Sequence, residues 1–257
     1  MLYPRIIPVL LVHDKGLVKT VKFKDPKYVG DPLNAVRIFN EKEADELIVI
    51  DIDATANGRE PDFQLIANLA SECRMPLCYG GGIKNLEQAK KILSLGVEKI
   101  ALSSSAIASP QLIAEIATQV GKQSVVVVLD VSKKLFSSKY ECWTHNGKKN
   151  TKVCPIEFAQ IAEQHGAGEI VINSIDNDGT MKGYDLHLAR EIKSRVGMPV
   201  TVLGGAGSHE DIKNLIAQEG VVGAAAGSLF VFKGKYKAVL INYPNKNEKR
   251  SIISSLK

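Results

Sequence analysis

Two pairs of short glycine- and serine-containing segments could each bind a phosphate group. Gly204–Gly207 and Ala226–Ser228 each follow a short apolar run, and so do Gly80–Gly82 and Ser103-Ser104. Glycine lets the backbone approach a ligand closely, backbone N–H groups hold an anion, and a serine hydroxyl adds a donor. One such loop alone is more often a tight turn. Two pairs predict two phosphate sites, which contain Gly81, Gly82, Ser103 and Ser104 in one case and Gly205, Gly227 and Ser228 in the other.

Two carboxylates follow apolar runs in the same way and could transfer protons. Asp130 ends the run VVVVLDV, and Asp178 lies in SIDNDGT after another run. Burial at such a position raises the pKa of a carboxyl group and suits it to general acid–base catalysis. A cap or turn aspartate is the alternative for both, and the Asp-Gly step beside Asp178 favours a turn.

Metal and redox chemistry find no support in the spacing of the histidines and cysteines. The five histidines are dispersed without HxH or HExxH spacing, and the four cysteines form no CxxC pair. The sequence therefore predicts no metal, no cofactor and reduced thiols.

The elements that position these residues alternate along the chain. Eight short, β-branched apolar runs predict strands that are buried on both faces; they are Arg5–Val12, Glu46–Asp53, Met75–Tyr79, Lys99–Ser103, Ser124–Val131, Glu169–Ser174, Pro199–Leu203 and Gly223–Ala226. Amphipathic stretches between them predict helices, which gives βαβ units and a parallel sheet. An open doubly wound sheet is the rival, but no GxGxxG follows the first strand.

An internal repeat decides between these two architectures. The segment Glu46–Asp53 is echoed 123 residues later by Glu169–Asp176, and the two glycine clusters are 124 residues apart. Two equivalent halves of four βα units predict a single (β/α)8 TIM barrel over residues 1–257, with half-barrels of about 1–120 and 121–257. In such a barrel the loops after the strands carry the function, so both phosphate sites lie on one rim and the ligand carries a phosphate at each end.

Composition limits the class of partner. The net charge is +5, only 6% of the residues are aromatic, and the lysines are scattered rather than arranged in a stripe. This pattern fits a polyanionic small substrate better than nucleic acid. No apolar run reaches the roughly 18–20 residues of a membrane span, and the N-terminus lacks a signal-peptide pattern. We therefore expect a cytoplasmic protein without membrane or nucleic-acid partners.

The order and spacing of many motifs resemble the cyclase subunit of imidazole glycerol phosphate synthase over roughly residues 1–232. The motifs are RIIP, GDP, DELIVIDID, YGGGI, GKKNT, GAGEI, SIDNDGT, GYD, GGAG and AAGS. The resemblance implies a barrel that takes ammonia from a glutaminase subunit. It adds the ammonia to a bis-phosphorylated ribulosyl-aminoimidazole ribotide, which yields imidazole glycerol phosphate and an aminoimidazole carboxamide ribotide.

The resemblance also implies roles for single residues. Asp130 and Asp178 match catalytic positions, and Lys19 matches a substrate-loop lysine. Gly82 and Ser104 match one phosphate site, and the other is matched by Gly179, Gly205, Gly227 and Ser228. A gate for ammonia at the bottom of the barrel is matched by Arg5, Glu46, Lys99 and Glu169; a stabilising salt-bridge ring is the alternative for these four residues.

One departure from the family pattern bears on activity. The family has a catalytic aspartate at the end of the first strand, where this sequence has Leu11. Asp53, Ser103 and Leu203 also differ from the usual residues, and so does the tail from Lys233 onward. These changes resemble a paralogous branch that serves amidination of a sugar in surface polysaccharide synthesis, together with a glutaminase and a sugar amidotransferase.

Three interpretations remain open at this point. The chain is a cyclase-type subunit of the paralogous branch, which we favour. Alternatively, it is a genuine histidine-pathway cyclase with one carboxylate displaced. A third interpretation is a barrel that activates a glutaminase without chemistry of its own.

Overall fold

Eight parallel strands close into a barrel in the computed structural model, which describes residues 3–134 and 137–254. Each strand pairs in parallel with the next, and the eighth pairs with the first. The strands are β1 (Arg5–His13), β2 (Leu47–Asp51), β3 (Leu77–Gly80), β4 (Lys99–Leu102), β5 (Val125–Lys133), β6 (Glu169–Ser174), β7 (Val200–Leu203) and β8 (Gly223–Ala226). The predicted (β/α)8 TIM barrel is confirmed. The ends of the predicted 1–257 domain, and residues 135–136, lie outside the described residues.

Amphipathic helices form the outer layer of the barrel. They are α1 (Pro32–Glu41), α2 (Phe63–Glu72), α3 (Leu86–Ser94), α4 (Gln111–Val120), α5 (Pro155–Gln164), α6 (Leu186–Lys193), α7 (His209–Glu219) and α8 (Lys246–Ile253). Asn85 and Ser208 each accept a hydrogen bond from the first turn of the helix they precede, as their residue types favour. Shorter helical turns span Ser104–Ala108, Lys122–Ser124 and Ser228–Val231.

The apolar core has two parts, because each strand is buried on both faces. The larger part packs the outer faces of the strands against the helices, with Phe39, Leu69 and Ile216 fully buried there. The smaller part fills the inside of the barrel; its buried members are Ile7, Val9, Ile48, Cys78, Ala101, Val126, Val128, Val171 and Ala225. The inside of the barrel is therefore packed with apolar side chains, and polar side chains lie on the rims at its two ends.

Two antiparallel hairpins stand on the carboxyl-terminal rim, and the sequence did not predict them. The first hairpin, Gly16–Val21 with Lys24–Gly30, continues β1, so that Leu11 pairs with Val18. The second hairpin, Tyr140–Thr144 with Lys149–Asn150, continues β5 in the same way, so that Asp130 pairs with Trp143. β1 and β5 are the first strands of the two predicted half-barrels, so the hairpins occupy equivalent places.

The chain after β8 crosses to the opposite, amino-terminal face of the barrel. A two-stranded ribbon of Phe232–Lys233 and Ala238–Val239 leads to Tyr243, whose hydroxyl donates to the backbone oxygen of Ile6 over 2.7 Å. Helix α8 then lies beside the start of β1 and β2, where Lys249 Nζ lies 2.8 Å from Asp45 Oδ1. None of the described helices is long and apolar enough to cross a membrane.

Candidate functional site

A cavity opens at the carboxyl ends of the barrel strands, and loops from both halves of the chain contribute to it. The predicted rim residues that line it are Lys19, Gly81, Gly82, Ser103, Ser104, Asp130, Asp178, Gly179, Gly205, Gly227 and Ser228. The structure thus brings every sequence-predicted catalytic and phosphate-site residue to one cavity. Its floor is apolar, since the upper residues of the barrel interior reach it.

Asp130 lies on this rim and belongs to β5. Its Oδ1 accepts a hydrogen bond of 2.8 Å from Asn173 Nδ2 on the neighbouring β6. Burial raises the pKa of Asp130 to about 7; the nearby charge of Asp178 adds to the rise, and the bond from Asn173 opposes it. This carboxyl group can therefore gain or lose a proton near neutral pH, as a general acid or base requires.

Asp178 is held under the first hairpin. Its Oδ2 accepts the hydroxyl hydrogen of Thr20 over 2.7 Å and the backbone N–H of Phe23 over 3.1 Å. Burial raises the pKa of Asp178, although these bonds and the charge of Lys19 oppose the rise. The carboxylate therefore anchors the hairpin that covers the rim, and its second oxygen faces no hydrogen-bond donor among the described residues.

Lys19 brings an ammonium group from the first hairpin to the rim beside β8, the neighbour of β1. It is buried, and its Nζ donates to the backbone oxygen of Val9 over 2.6 Å. A Cβ placed on Gly227 would lie only 2.8 Å from this Nζ, so the lysine and the β8 glycine share one site. Burial lowers the pKa of Lys19 to about 8, against the opposing effect of Asp178. An anion bound here would favour the protonated form.

The glycines of the two predicted phosphate loops adopt conformations that side chains disfavour. Gly81 has a φ of +122°, and a Cβ there would lie 2.5 Å from the backbone oxygen of Asp51. Gly205 has a φ of +107°, and a Cβ there would overlap the backbone oxygen of Gly183. Close backbone packing therefore requires glycine at both loops. Beside the first loop, Ser103 Oγ is buried without a hydrogen-bond partner among the described residues.

Leu11 occupies the rim position on β1 that is equivalent to Asp130 on β5. It is half-buried and lines the cavity beside Ile50 of β2, with which it pairs in register. Leu203 of β7 also lines the cavity, so three aliphatic side chains flank the space above the barrel interior. An aliphatic side chain neither accepts nor donates a proton, which leaves Asp130 without a carboxylate at the position opposite.

Asp53, another departure from the family pattern, is buried and belongs to a small polar cluster at the edge of the rim. Its carboxylate bonds His13 Nδ1 over 2.8 Å and the backbone N–H of Asp14 over 2.9 Å, and Arg59 lies 3.5 Å away. Ligand-type atoms of His13, Asp14 and Asp53 lie within 4.8 Å of one another. Because Asp53 already faces a guanidinium and a backbone N–H, we assign these residues to fixing the loops after β1 and β2.

The four predicted gate residues meet at the opposite end of the barrel, where the strands begin. Arg5 bonds Glu46 and Glu169, at 2.5 and 2.7 Å, and Lys99 bonds the same two carboxylates at 2.8 and 3.0 Å. Burial opposes ionisation of Glu169, but Arg5 and Lys99 outweigh it and keep the pKa of this carboxyl below its usual value. The four charges therefore form one closed ring below the apolar interior.

Several residues at these sites were missed by the sequence reasoning. Thr201 Oγ1 donates to Glu169 over 2.6 Å and so joins the charged ring. Asn173 is the partner of Asp130, and a signal existed for it: it is a polar residue in the apolar run EIVINS, where the first repeat has Ile50. His145 and Asn146 line the cavity from the second hairpin, which the sequence marked only by its glycine and lysines.

The amino-acid sequence matches one protein family and several named relatives. Residues 5–237 match the family described as histidine biosynthesis protein. A Vibrio vulnificus (strain YJ016) protein, provisionally named imidazole glycerol phosphate synthase subunit hisF3, is 62% identical over 253 residues, which are 98% of this chain and 97% of the relative.

Two further relatives carry similar names. A Pseudomonas aeruginosa protein, provisionally named imidazole glycerol phosphate synthase subunit hisF2, is 54% identical over 96% of this chain and 98% of its own length. A Hyphomonas neptunium protein, named imidazole glycerol phosphate synthase subunit HisF without that proviso, is 40% identical over 90% of this chain and 91% of its own.

Proposed function

Since the chain belongs to the histidine biosynthesis protein family, among the HisF subunits of imidazole glycerol phosphate synthase, we propose that it binds a bis-phosphorylated ligand and uses or channels ammonia from a glutaminase subunit. One observation carries the proposal: both glycine–serine loops, Lys19 and Asp130 line a single cavity on one rim. Backbone N–H groups and serine hydroxyls at two places suit a ligand with a phosphate at each end.

The geometry suggests how each group would act on such a ligand. The two phosphate loops would fix the ends of the molecule, so that its reacting middle lies over Asp130. A positioned carboxyl group with a pKa of about 7 exchanges protons readily at neutral pH, and proton transfer of this kind contributes about 10²–10⁴-fold to a rate. The first hairpin would cover the ligand and exclude water.

Within the family we propose the paralogous role, in which the chain serves amidination of a sugar and works beside a sugar amidotransferase. Leu11 supports this proposal because it removes the second carboxylate that ring closure uses in the cyclases this chain resembles. The relatives at 54–62% identity include proteins numbered hisF2 and hisF3 and two proteins with the unnumbered name HisF, so their names alone do not distinguish the two roles.

Two other functions stay in competition. A genuine histidine-pathway cyclase would make imidazole glycerol phosphate and aminoimidazole carboxamide ribotide with Asp130 and Asp178 alone. A barrel without chemistry would only activate its glutaminase. The retained Asp130, with its raised pKa and its partner Asn173, favours a functional rim over the second of these.

Calorimetric titration with a non-reactive analogue of the ribulosyl-aminoimidazole bisphosphate tests the proposal. We expect one ligand per chain, and a loss of about tenfold or more in affinity in both Ser104→Ala and Ser228→Ala, because a hydrogen bond to a charged group contributes about 1.5–3 kcal/mol. Ser71→Ala, on the exposed face of α2, is the matched control. Unchanged affinity in both rim variants would refute the two-phosphate site.

A further inference from the structure

Each rim hairpin contacts loops that belong to the other half of the chain. The first hairpin follows β1 but packs on the second half of the chain: Lys22 N–H donates to the backbone oxygen of Asp178 over 3.0 Å, and a Cβ on Gly179 would overlap the backbone oxygen of Thr20. The second hairpin follows β5 but reaches the first half, where the backbone N–H of His145 lies 3.5 Å from Ser104 Oγ. Each half therefore places a hairpin over the phosphate loop of the other half.

The first hairpin uses this arrangement to deliver a cation. Lys19 reaches the loop that contains Gly227, where it would face a bound phosphate. Among the described residues that line the cavity, Lys19 is the only lysine, and none is an arginine. The loops with Gly82 and Ser104 on the opposite side therefore have no such partner, although a second phosphate there would also carry negative charge.

His145 occupies the corresponding place on the second hairpin. It lies in the turn of that hairpin, lines the cavity and is half-buried. Its Nδ1 lies 3.0 Å from the hydroxyl of Thr144, and no hydrogen-bond partner of Nε2 occurs in the described part of the chain. With the Thr144 hydroxyl donating to Nδ1, Nε2 carries the ring hydrogen and can donate it to a phosphate oxygen.

A buried hydroxyl on the residue before Ser104 also lacks a partner among the described residues. Ser103 Oγ is buried without a hydrogen bond among the described residues, and Ser103 lines the same side of the cavity as Ser104. An unsatisfied buried polar atom is costly, and a ligand oxygen would satisfy it. The turn also packs closely against the first hairpin, because a Cβ on Gly147 would lie 3.1 Å from the ring of Phe23.

We propose that His145 is a ligand-binding residue that holds the phosphate at Ser103 and Ser104, as the counterpart of Lys19 at the opposite phosphate. The inference rests on the proposed function, since it assigns a residue to one end of the proposed bisphosphate. His145 and Lys19 each come from one half of the chain and serve the phosphate loop of the other. The ligand that fits is a molecule with two separated phosphate groups, rather than a monophosphate.

Titration of the full chain with the bisphosphate analogue, followed by calorimetry and by ³¹P NMR of the bound ligand, tests the assignment. We expect His145→Ala to weaken binding about tenfold and to shift one of the two phosphorus resonances, while Lys19→Ala shifts the other. His145→Gln keeps an amide donor and should retain more of the affinity than His145→Ala. His165→Ala, at the end of α5, is the control that should leave affinity and both resonances unchanged.

The outcomes separate this inference from the proposed function. Binding by the parent chain that is unaltered in His145→Ala would overturn the role of His145 alone. A shift of the same resonance by His145→Ala and Lys19→Ala would also overturn it, because the two residues would then serve one phosphate. Failure of the parent chain to bind the analogue would overturn the proposed function together with the assignment. Circular dichroism of each variant checks that the barrel is folded.

Discussion

Asp130 is a buried carboxyl group that lowers the stability of the fold when it is charged but is suited to proton transfer. Buried carboxylates are costly when charged, and in this protein burial raises the pKa of Asp130 to about 7 while Asn173 only partly compensates. The surrounding strand is otherwise apolar, so nothing in the packing of β5 requires an acid at this place. An unfavourable group that the fold does not need is typical of a functional site.

The raised pKa of Asp130 predicts a pH-dependent stability. The folded-state pKa lies above the unfolded value of about 3.9, so this group lowers the free energy of unfolding as the pH rises from about 4 to about 7. We expect Asp130→Asn to be more stable than the parent by about 1–4 kcal/mol at pH 8, with the difference shrinking towards pH 4. Urea unfolding at pH 4, 5 and 8 measures this, with the exposed Asp25→Asn as control. A difference that is constant across these pH values would contradict the assigned pKa.

Leu11 predicts a poor ammonia-dependent cyclase. Loss of a positioned acid or base typically costs about 10²–10⁴-fold in rate, while phosphate binding depends on other groups of the rim. We expect a low kcat with nearly normal ligand affinity in the parent, and a large gain in Leu11→Asp that a second change, Asp130→Asn, abolishes. Steady-state kinetics with ammonia measure this, and Leu240→Asp at an exposed leucine is the control.

A parent rate equal to that of a two-aspartate cyclase would refute the role of Leu11. If Leu11→Asp gains nothing while the parent is slow, the changes at Asp53, Ser103 and Leu203 become the better explanation. That result would strengthen the paralogous role.

At the scale of elements, the rim depends on hairpins whose contacts are remote in the sequence. The carboxylate that anchors the first hairpin, Asp178, lies 158 residues from its partner Thr20. The strand Lys24–Gly30 of the hairpin is exposed over most of its length, whereas residues 17–20 of the other strand are buried and that strand pairs with β1. The buried strand therefore fixes Lys19 in the cavity, and the exposed strand forms the outer edge of the hairpin.

Substitution of Gly179 tests whether the first hairpin depends on its close contact with this glycine. Its φ of +66° and the backbone oxygen of Thr20 both leave no room for a side chain, whereas Gly58 has a similar φ of +68° with open space around it. We expect Gly58→Ala to cost about 1 kcal/mol and to leave ligand affinity unchanged. Gly179→Ala should cost more and weaken binding of the bisphosphate analogue about tenfold. Thermal unfolding and calorimetry measure the two effects, and equal effects of both variants would show that the hairpin does not rest on Gly179.

The sequence predicted the eight strands and the seven helices between them because their apolar residues repeat regularly and because the two halves echo each other. Helix α8, which follows the last strand, was not predicted. Rim residues followed from their places after strands, since parallel strands end at one face. The first hairpin could not be predicted, because KFKDPK carries turn residues without a clear alternation. For the second hairpin the Asn146-Gly147 step in THNGKK was a signal, since Asn-Gly is typical of a hairpin turn. Asn173 and Thr201 act through contacts between neighbouring strands, and the polar Asn173 in an apolar run was a signal that could have been used. His145 acts from a hairpin turn, whose contact with Ser104 a single sequence does not reveal. The assigned roles of the site residues stay predictions.

In the whole molecule, the two faces of the barrel carry different features. The ring of Arg5, Glu46, Lys99 and Glu169 closes the amino-terminal face, and the ligand cavity opens at the other. Between them lies the apolar interior of the barrel. Ammonia is uncharged and small, whereas ammonium and water interact strongly with charges. A charged ring below an apolar interior therefore suits the selective entry of ammonia from a docked glutaminase.

We expect a stable complex with a class I glutaminase at the amino-terminal face, strengthened by the rim ligand. Lys99→Ala leaves Arg5 as the one cationic partner of Glu46 and Glu169 among the described residues. Removal of one partner from a buried ion network typically costs about 3–5 kcal/mol of stability. It should also lower the ligand-stimulated glutaminase rate of the complex. Co-purification and glutamine turnover measure these effects, with Lys90→Ala on the exposed face of α3 as control. The absence of a complex with every such glutaminase of the genome, with ligand present, would contradict the docking face.

Because each hairpin contacts the other half of the chain, a bound ligand also bears on how the barrel unfolds. At each of its two phosphates, a bound bisphosphate would contact the backbone of one half and a hairpin of the other half. It would therefore connect β1–β4 with β5–β8. Ligand at 100 times its dissociation constant adds about 2.7 kcal/mol to the folded state. Separation of the two half-barrels would require both phosphates to dissociate. The ligand would then stabilise the contact between the half-barrels in addition to occupying the site.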